Sequence, residues 1–141
     1  MQNTMLRKML FAVMCGLMFV ACSSMERDGD WDAMKWSALD GQRAEKGVYI
    51  VDAEAHTLHF ACKNYRGPWI SEALEDGAMY YPLADSGDYR IIQGTHFSAS
   101  IVGNELSVAF PENTTADAHS VTLTVTAGDI FYTFRFLQEA P

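Results

Sequence analysis

Basic residues are scarce in this chain: 10 lysines and arginines stand against 18 acids, for a formal net charge of −8. That sign argues against a partner held through a basic face, whether DNA, RNA or anionic lipid headgroups. Cysteine is scarcer, at 3 in 141 residues, too few for a disulfide-built scaffold or a cysteine-rich zinc cluster. The longest apolar run, Met9 to Val20, has 12 residues, against the roughly 20 that a transmembrane helix needs. No segment sustains a 3.6-residue period with caps, so amphipathic helices are not expected. The strained serine elbow G-x-S-x-G of many hydrolases is missing as well.

What is present begins with a leader. Arg7 and Lys8 precede the apolar run, which ends at the small residue Ala21 and Cys22, in the order charged, apolar, small that marks a secretory signal. The segment Phe19-Val20-Ala21-Cys22 resembles the lipobox of bacterial lipoproteins, with Phe19 in place of the usual leucine. The resemblance implies that residues 1–21 are a cleaved lipoprotein signal peptide and that lipidation falls on Cys22, which becomes the N-terminus. Several acyl chains such as palmitate, at about 0.8 kcal/mol per buried methylene, then give a lasting membrane anchor. Residues 22–30 are polar and acidic, the composition of a flexible tether. They also resemble the acidic segment that sends lipoproteins to the outer face of the outer membrane in Bacteroidetes; a plain solvated linker reads equally well. With Arg7 and Lys8 in the leader, the remaining 120 residues hold 8 basic and 18 acidic side chains, a soluble surface for one domain at 31–141. Cys62 is the one cysteine left there, in an apolar alternation that suits a small buried side chain.

The domain reads as all-β. In Val121-Thr122-Leu123-Thr124-Val125-Thr126-Ala127 apolar residues and threonines alternate, one face for core and one for water. Gly128-Asp129 then offers a two-residue hairpin turn, after which Tyr132, Phe134 and Phe136 face one way and Thr133 and Arg135 the other. Gly103-Asn104 joins a second hairpin, between strands around Phe97–Ile101 and Leu106–Phe110. Val48 to Val51 and Leu58 to Cys62 add two strands, with shorter candidates at Trp69 to Ala73, Met79 to Tyr81 and Tyr89 to Ile92. This spacing predicts an antiparallel immunoglobulin-like β-sandwich of about seven strands.

Glu112-Asn113-Thr114-Thr115, the Thr/Val strand and the final Phe136-Leu137-Gln138 resemble the C-terminal half of BACON domains. Cys62-Lys63-Asn64 leading to Trp69 is similar to that family's early Asn-then-Trp segment, at longer spacing, and Trp31 to Trp36 is similar to the opening of small Bacteroidetes surface lipoproteins. The resemblance implies a sandwich with Trp69 wedged in the core beside Phe134 and Phe136, and carbohydrate as the ligand class.

His56 and His59 have a spacing that chelates on a helix, but on a strand residues three apart point to opposite faces. Asp28-Gly29-Asp30-Trp31-Asp32 starts like a calcium loop and loses the pattern at Ala33 and Leu39. No metal, cofactor or catalytic residue is therefore expected. Among the aromatics, Tyr80 and Tyr81 are adjacent in the turn-rich stretch 74–88, so in an extended segment one faces away from the core. With Trp36 they are the candidate contact residues, and ordinary loop packing would use them equally. The sequence expectation is a non-catalytic module at the cell surface, with a glycan or mucin as partner or, alternatively, another cell-envelope protein, and no nucleic acid.

Overall fold

The computed structural model describes residues 31–82 and 87–141. The expected signal peptide and tether at 1–30, Cys22 included, lie outside the described residues. Among the described residues ten strands follow one another: β1 Trp36–Ala38, β2 Tyr49–Val51, β3 His56–Cys62, β4 Trp69–Glu75, β5 Ala78–Tyr80, β6 Ile91–Gln93, β7 Ser98–Val102, β8 Glu105–Phe110, β9 His119–Thr126 and β10 Phe131–Gln138. They form two five-stranded sheets, ordered β1-β3-β8-β7-β6 and β2-β10-β9-β4-β5. The two halves of the N-terminal stretch go to different sheets, and the last strand lies between β2 and β9, as in immunoglobulin-like sandwiches. The count exceeds the expected seven because the short candidates at Val48 to Val51, Met79 to Tyr81 and Tyr89 to Ile92 all form strands, as β2, β5 and β6, and because β1, which was not anticipated, has three residues, too few for a two-residue alternation to show. The antiparallel expectation also needs one correction, since β2 runs parallel to β10 through Phe136↔Tyr49, Leu137↔Ile50 and Gln138↔Val51.

Alternation places the core. Val121, Leu123 and Val125 of β9 and Phe134 and Phe136 of β10 are buried, facing Leu58, Phe60 and Cys62 of β3 and Leu106, Val108 and Phe110 of β8. All of this core lies between Met34 and Phe136, within the compact unit Trp31–Pro141, so the unit carries its own folding energy. The β7–β8 hairpin closes on the two residues Gly103-Asn104, and the β9–β10 hairpin on residues 127–130, where the Ala127 N–H donates to the Ile130 carbonyl at 3.1 Å. Gly103 and Gly128 adopt positive φ of 63° and 104°, a conformation glycine takes without the Cβ penalty.

Trp69 is not in the core. Its register partner is Thr126, and the β4–β9 pairing shifts between Ile70 and Glu72, a bulge that sends Ile70 inward and Trp69 outward. Ile70 is fully buried while Trp69 is 37 % exposed. The buried-tryptophan expectation fails because the family-like spacing gives no account of that bulge.

Gly94, between β6 and β7, is fixed by close approach. A Cβ there would sit 2.2 Å from the Phe97 ring and 2.9 Å from Glu75 Oε2, and Phe97 is itself buried. Gly94→Ala is expected to destabilise the domain by about 1–3 kcal/mol through overpacking, measurable as a lowered thermal midpoint; an unchanged midpoint would show that the turn yields freely.

Candidate functional site

Two loops meet at the end of the sandwich where β4 begins. Gly67-Pro68 enters β4 at Trp69, and Gly87-Asp88-Tyr89-Arg90 enters β6. Pro68, which is buried, fixes its own φ immediately before Trp69. The Ile70 N–H donates to the Tyr89 carbonyl at 2.8 Å, tying the second loop to the first strand. Together these residues line an open depression of about 640 Å³. Its aromatic members, Trp69 and Tyr89, are exposed, Tyr89 to 56 %. Its polar members are organised: the Arg90 backbone N–H and Nε donate to Asp88 Oδ1 at 3.0 and 3.1 Å. These bonds, backbone first, hold the Asp88 carboxyl below the usual carboxylate range.

An exposed indole and phenol on strapped loops present flat apolar faces at little entropic cost on binding. The Asp88–Arg90 pair beside them supplies fixed acceptors and donors. Such a mixture suits a ligand with both C–H faces and hydroxyl groups, and a shallow open site suits one end or edge of a longer molecule.

The structure does not bring Tyr80, Tyr81 and Trp36 together. Tyr80 is half-buried on edge strand β5, its OH 2.7 Å from Thr95 Oγ1 and its ring edge-on to Phe97. Tyr81 is exposed. Trp36 is half-buried on β1, packed edge-on against Phe134 at 5.2 Å and beside Tyr132. Since β1 faces β10 while β5 neighbours β4, which packs against β6 and β7, the tryptophan and the tyrosines occupy opposite flanks. Phe134 and Phe136 are buried core residues. His56 and His59 diverge along β3; His56 is exposed and His59 Nδ1 lies 3.0 Å from Ser107 Oγ.

Tyr89, Asp88 and Arg90 were not singled out by sequence reasoning. A weak signal existed, a Gly-Pro and a Gly-Asp turn each leading to an aromatic, but that these two turns are neighbours follows only from the packing of β4 beside β6.

The sheet order and the buried alternating faces define an immunoglobulin-like β-sandwich. The chain aligns with a protein from Bacteroides thetaiotaomicron, solved by NMR, at 36 % identity over 85 % of this chain and 98 % of that one, with a TM-score of 0.68. It belongs to the same family as that protein. Two titin structures, a chimeric Z1Z2 and domain M7, align at 12 % and 11 % identity over 78 % and 77 % of this chain and 98 % and 96 % of theirs, with TM-scores of 0.42 and 0.40. No protein-family model and no curated protein matches the chain.

Proposed function

We propose that this protein is a lipid-anchored, BACON-like accessory module, non-catalytic, displayed on the outer membrane toward the cell exterior, that binds carbohydrate through the Trp69–Tyr89 depression. The carrying observation is the exposed, loop-strapped pair Trp69 and Tyr89 beside the Asp88–Arg90 ion pair. It replaces Tyr80, Tyr81 and Trp36 as the contact surface, because two of those three side chains are already engaged in packing. The anchor rests on the lipobox resemblance at Cys22, and a tether there would hold the depression at high local concentration near surface glycans, where weak contacts suffice.

Glycan arrays and mucin pull-downs with the Trp31–Pro141 unit test the binding arm. Trp69→Ala is expected to lower apparent glycan affinity by about tenfold or more, since a lost stacking aromatic is worth on the order of 1–3 kcal/mol in comparable stacking sites. Because Trp69 is 37 % exposed and the rest of its indole is covered, the variant is also expected to have a lower thermal midpoint, and binding is compared at a temperature where both proteins remain folded. Uniform absence of binding by the unsubstituted unit would sink the carbohydrate reading. The anchor is tested apart: Cys22→Ala is expected to move the protein from the membrane to the soluble fraction, and retention at the membrane would end that reading.

A second reading, packing against another cell-envelope protein, draws on Leu74 and Met79. These register partners on β4 and β5 are 39 % and 47 % exposed, an apolar pair at a sheet edge. Cross-linking in intact cells to one stoichiometric protein, lost on Met79→Glu, would favour it.

A further inference from the structure

At the opposite end of β4 from Trp69, three turns converge on two histidines and two carboxylates. Glu75 ends β4 and Asp76 opens the β4–β5 turn in a left-handed conformation, φ 47°. His96 lies in the β6–β7 turn of the other sheet, and His119 begins β9. The imidazoles of His96 and His119 are stacked, centroids 3.8 Å apart and planes within 8°. One ligand atom from each of Asp76, His96 and His119 lies within 4.8 Å of the other two.

The proton positions around His119 can be worked out. Asn113 Nδ2 donates to the Asp117 and Glu139 carbonyls, so Asn113 Oδ1 is an acceptor. Thr115 Oγ1 lies 2.7 Å from that oxygen and has one proton to give. It therefore accepts from His119 Nε2, 2.8 Å away, and the ring carries its proton on Nε2. The other nitrogen, Nδ1, faces Asp76 Oδ2 at 2.7 Å. A bare lone pair so close to a carboxylate oxygen is repulsive, so a positive centre belongs there: a second proton on the ring, or a metal ion. The other Asp76 oxygen, Oδ1, accepts the Ser120 backbone N–H at 2.7 Å, which leaves Oδ2 turned toward the His119 ring. His96 shows the same want. Its Nδ1 is buried and lies 3.2 Å from Glu75 Oε1 without the alignment of a hydrogen bond. The Glu75 oxygens already accept the Thr95 and His96 backbone N–H groups.

We propose that Asp76, His96 and His119 form a binding site for a divalent transition-metal ion of the zinc class. Two imidazoles and one carboxylate select zinc, nickel or copper over calcium and magnesium. Three protein ligands leave a coordination position for water or a ligand group, on the side where Asp76 and His96 reach solvent. The ion takes the place of the second proton at His119 Nδ1. Ligand atoms of a four-coordinate centre at about 2.0–2.2 Å sit about 3–3.5 Å apart, so the Asp76 carboxylate draws back from its 2.7 Å contact with His119 Nδ1 and His96 turns out of the stack toward the ion, while Thr115 keeps its hold on the His119 ring. Glu75 is a positioning residue that pins the His96 turn through its two backbone hydrogen bonds. The bound ion would clasp a turn of one sheet to a turn of the other, independently of the glycan site.

The test is calorimetric titration of the Trp31–Pro141 unit with zinc chloride at pH 7.5, with imidazole NMR signals and the thermal midpoint followed in parallel. Saturable one-to-one binding is expected, with the resonances of His96 and His119 shifting and those of His56 and His59 unmoved, and with a raised midpoint. His96→Ala and Asp76→Asn, both at partly exposed positions that leave the core intact, should each weaken zinc binding by about 100-fold or more, since losing even a partner behind a ligand costs about 10–100-fold. His59→Ala should not. Absence of saturable zinc binding, equal binding by His96→Ala and Asp76→Asn, or a response to calcium matching that to zinc would each overturn the proposal.

Discussion

Phe134→Ala is expected to destabilise the domain by about 3–5 kcal/mol, the range for truncating a buried phenylalanine. The Phe134 ring is 1 % exposed and is surrounded by other rings: Phe60 and Tyr132 at 4.8 Å, Trp36 at 5.2 Å and Phe136 at 6.1 Å between centroids. These neighbours come from β1 and β3 of one sheet and β10 of the other, so the cavity opens between the sheets and neither can close on it without losing its register. Against a typical total of about 5–15 kcal/mol for a domain, such a loss brings the midpoint close to physiological temperature. Urea unfolding measures it. Phe131→Ala, three residues earlier on the same strand and 58 % exposed, should change stability by no more than about 0.5 kcal/mol. Similar losses for the two variants would mean that the ring cluster does not hold the sheets together.

Asn113→Ala is expected to remove about 2–4 kcal/mol although it deletes only a small polar group. Asn113 is 3 % exposed. Its amide donates to Asp117 O and Glu139 O at 2.8 and 3.0 Å, and its oxygen accepts from the Thr115 N–H and hydroxyl at 2.9 and 2.7 Å. Alanine strands several of those groups away from water, at about 1–3 kcal/mol for each one left unsatisfied. Hydrogen exchange should localise the damage to the β8–β9 turn and the end of β10. Asn113→Asp sets a buried carboxylate oxygen against the Asp117 and Glu139 carbonyls, so it should cost at least as much as alanine; an alanine variant as stable as the parent would show that the turn is held by other bonds.

Asn113 also shows where sequence and structure meet. The Asn-Thr turn and the terminal Gln138 were legible as family-like marks. The structure supplies the reason, since Gln138 Nε2 reaches Pro111 O at 2.7 Å and the two amides close one end of the sandwich. The long hairpins β7–β8 and β9–β10 were legible because their alternation runs for five to eight residues and ends in glycine turns of the expected handedness. Trp69 was misplaced because a one-residue bulge reverses the facing of a strand, and an insertion of that kind leaves no mark on hydrophobic periodicity. The Trp69–Tyr89 depression and the His96–His119 stack were illegible for a different reason. Their members lie 20 and 23 positions apart in the chain, and only the packing of β4 beside β6 and of β9 beside β4 makes them neighbours.

The parallel pairing of β2 with β10 bears on how the domain carries load. Because the two strands run the same way, the leading end of β2 and the trailing end of β10 sit at opposite ends of their ladder, which the Glu139 N–H extends to the Val51 carbonyl at 2.8 Å. A pull applied between the leading end of β2 and the trailing end of β10 is thus directed along the strands, and their hydrogen bonds resist together in shear. An antiparallel pair loaded at its two chain ends would open one bond at a time, like a zip.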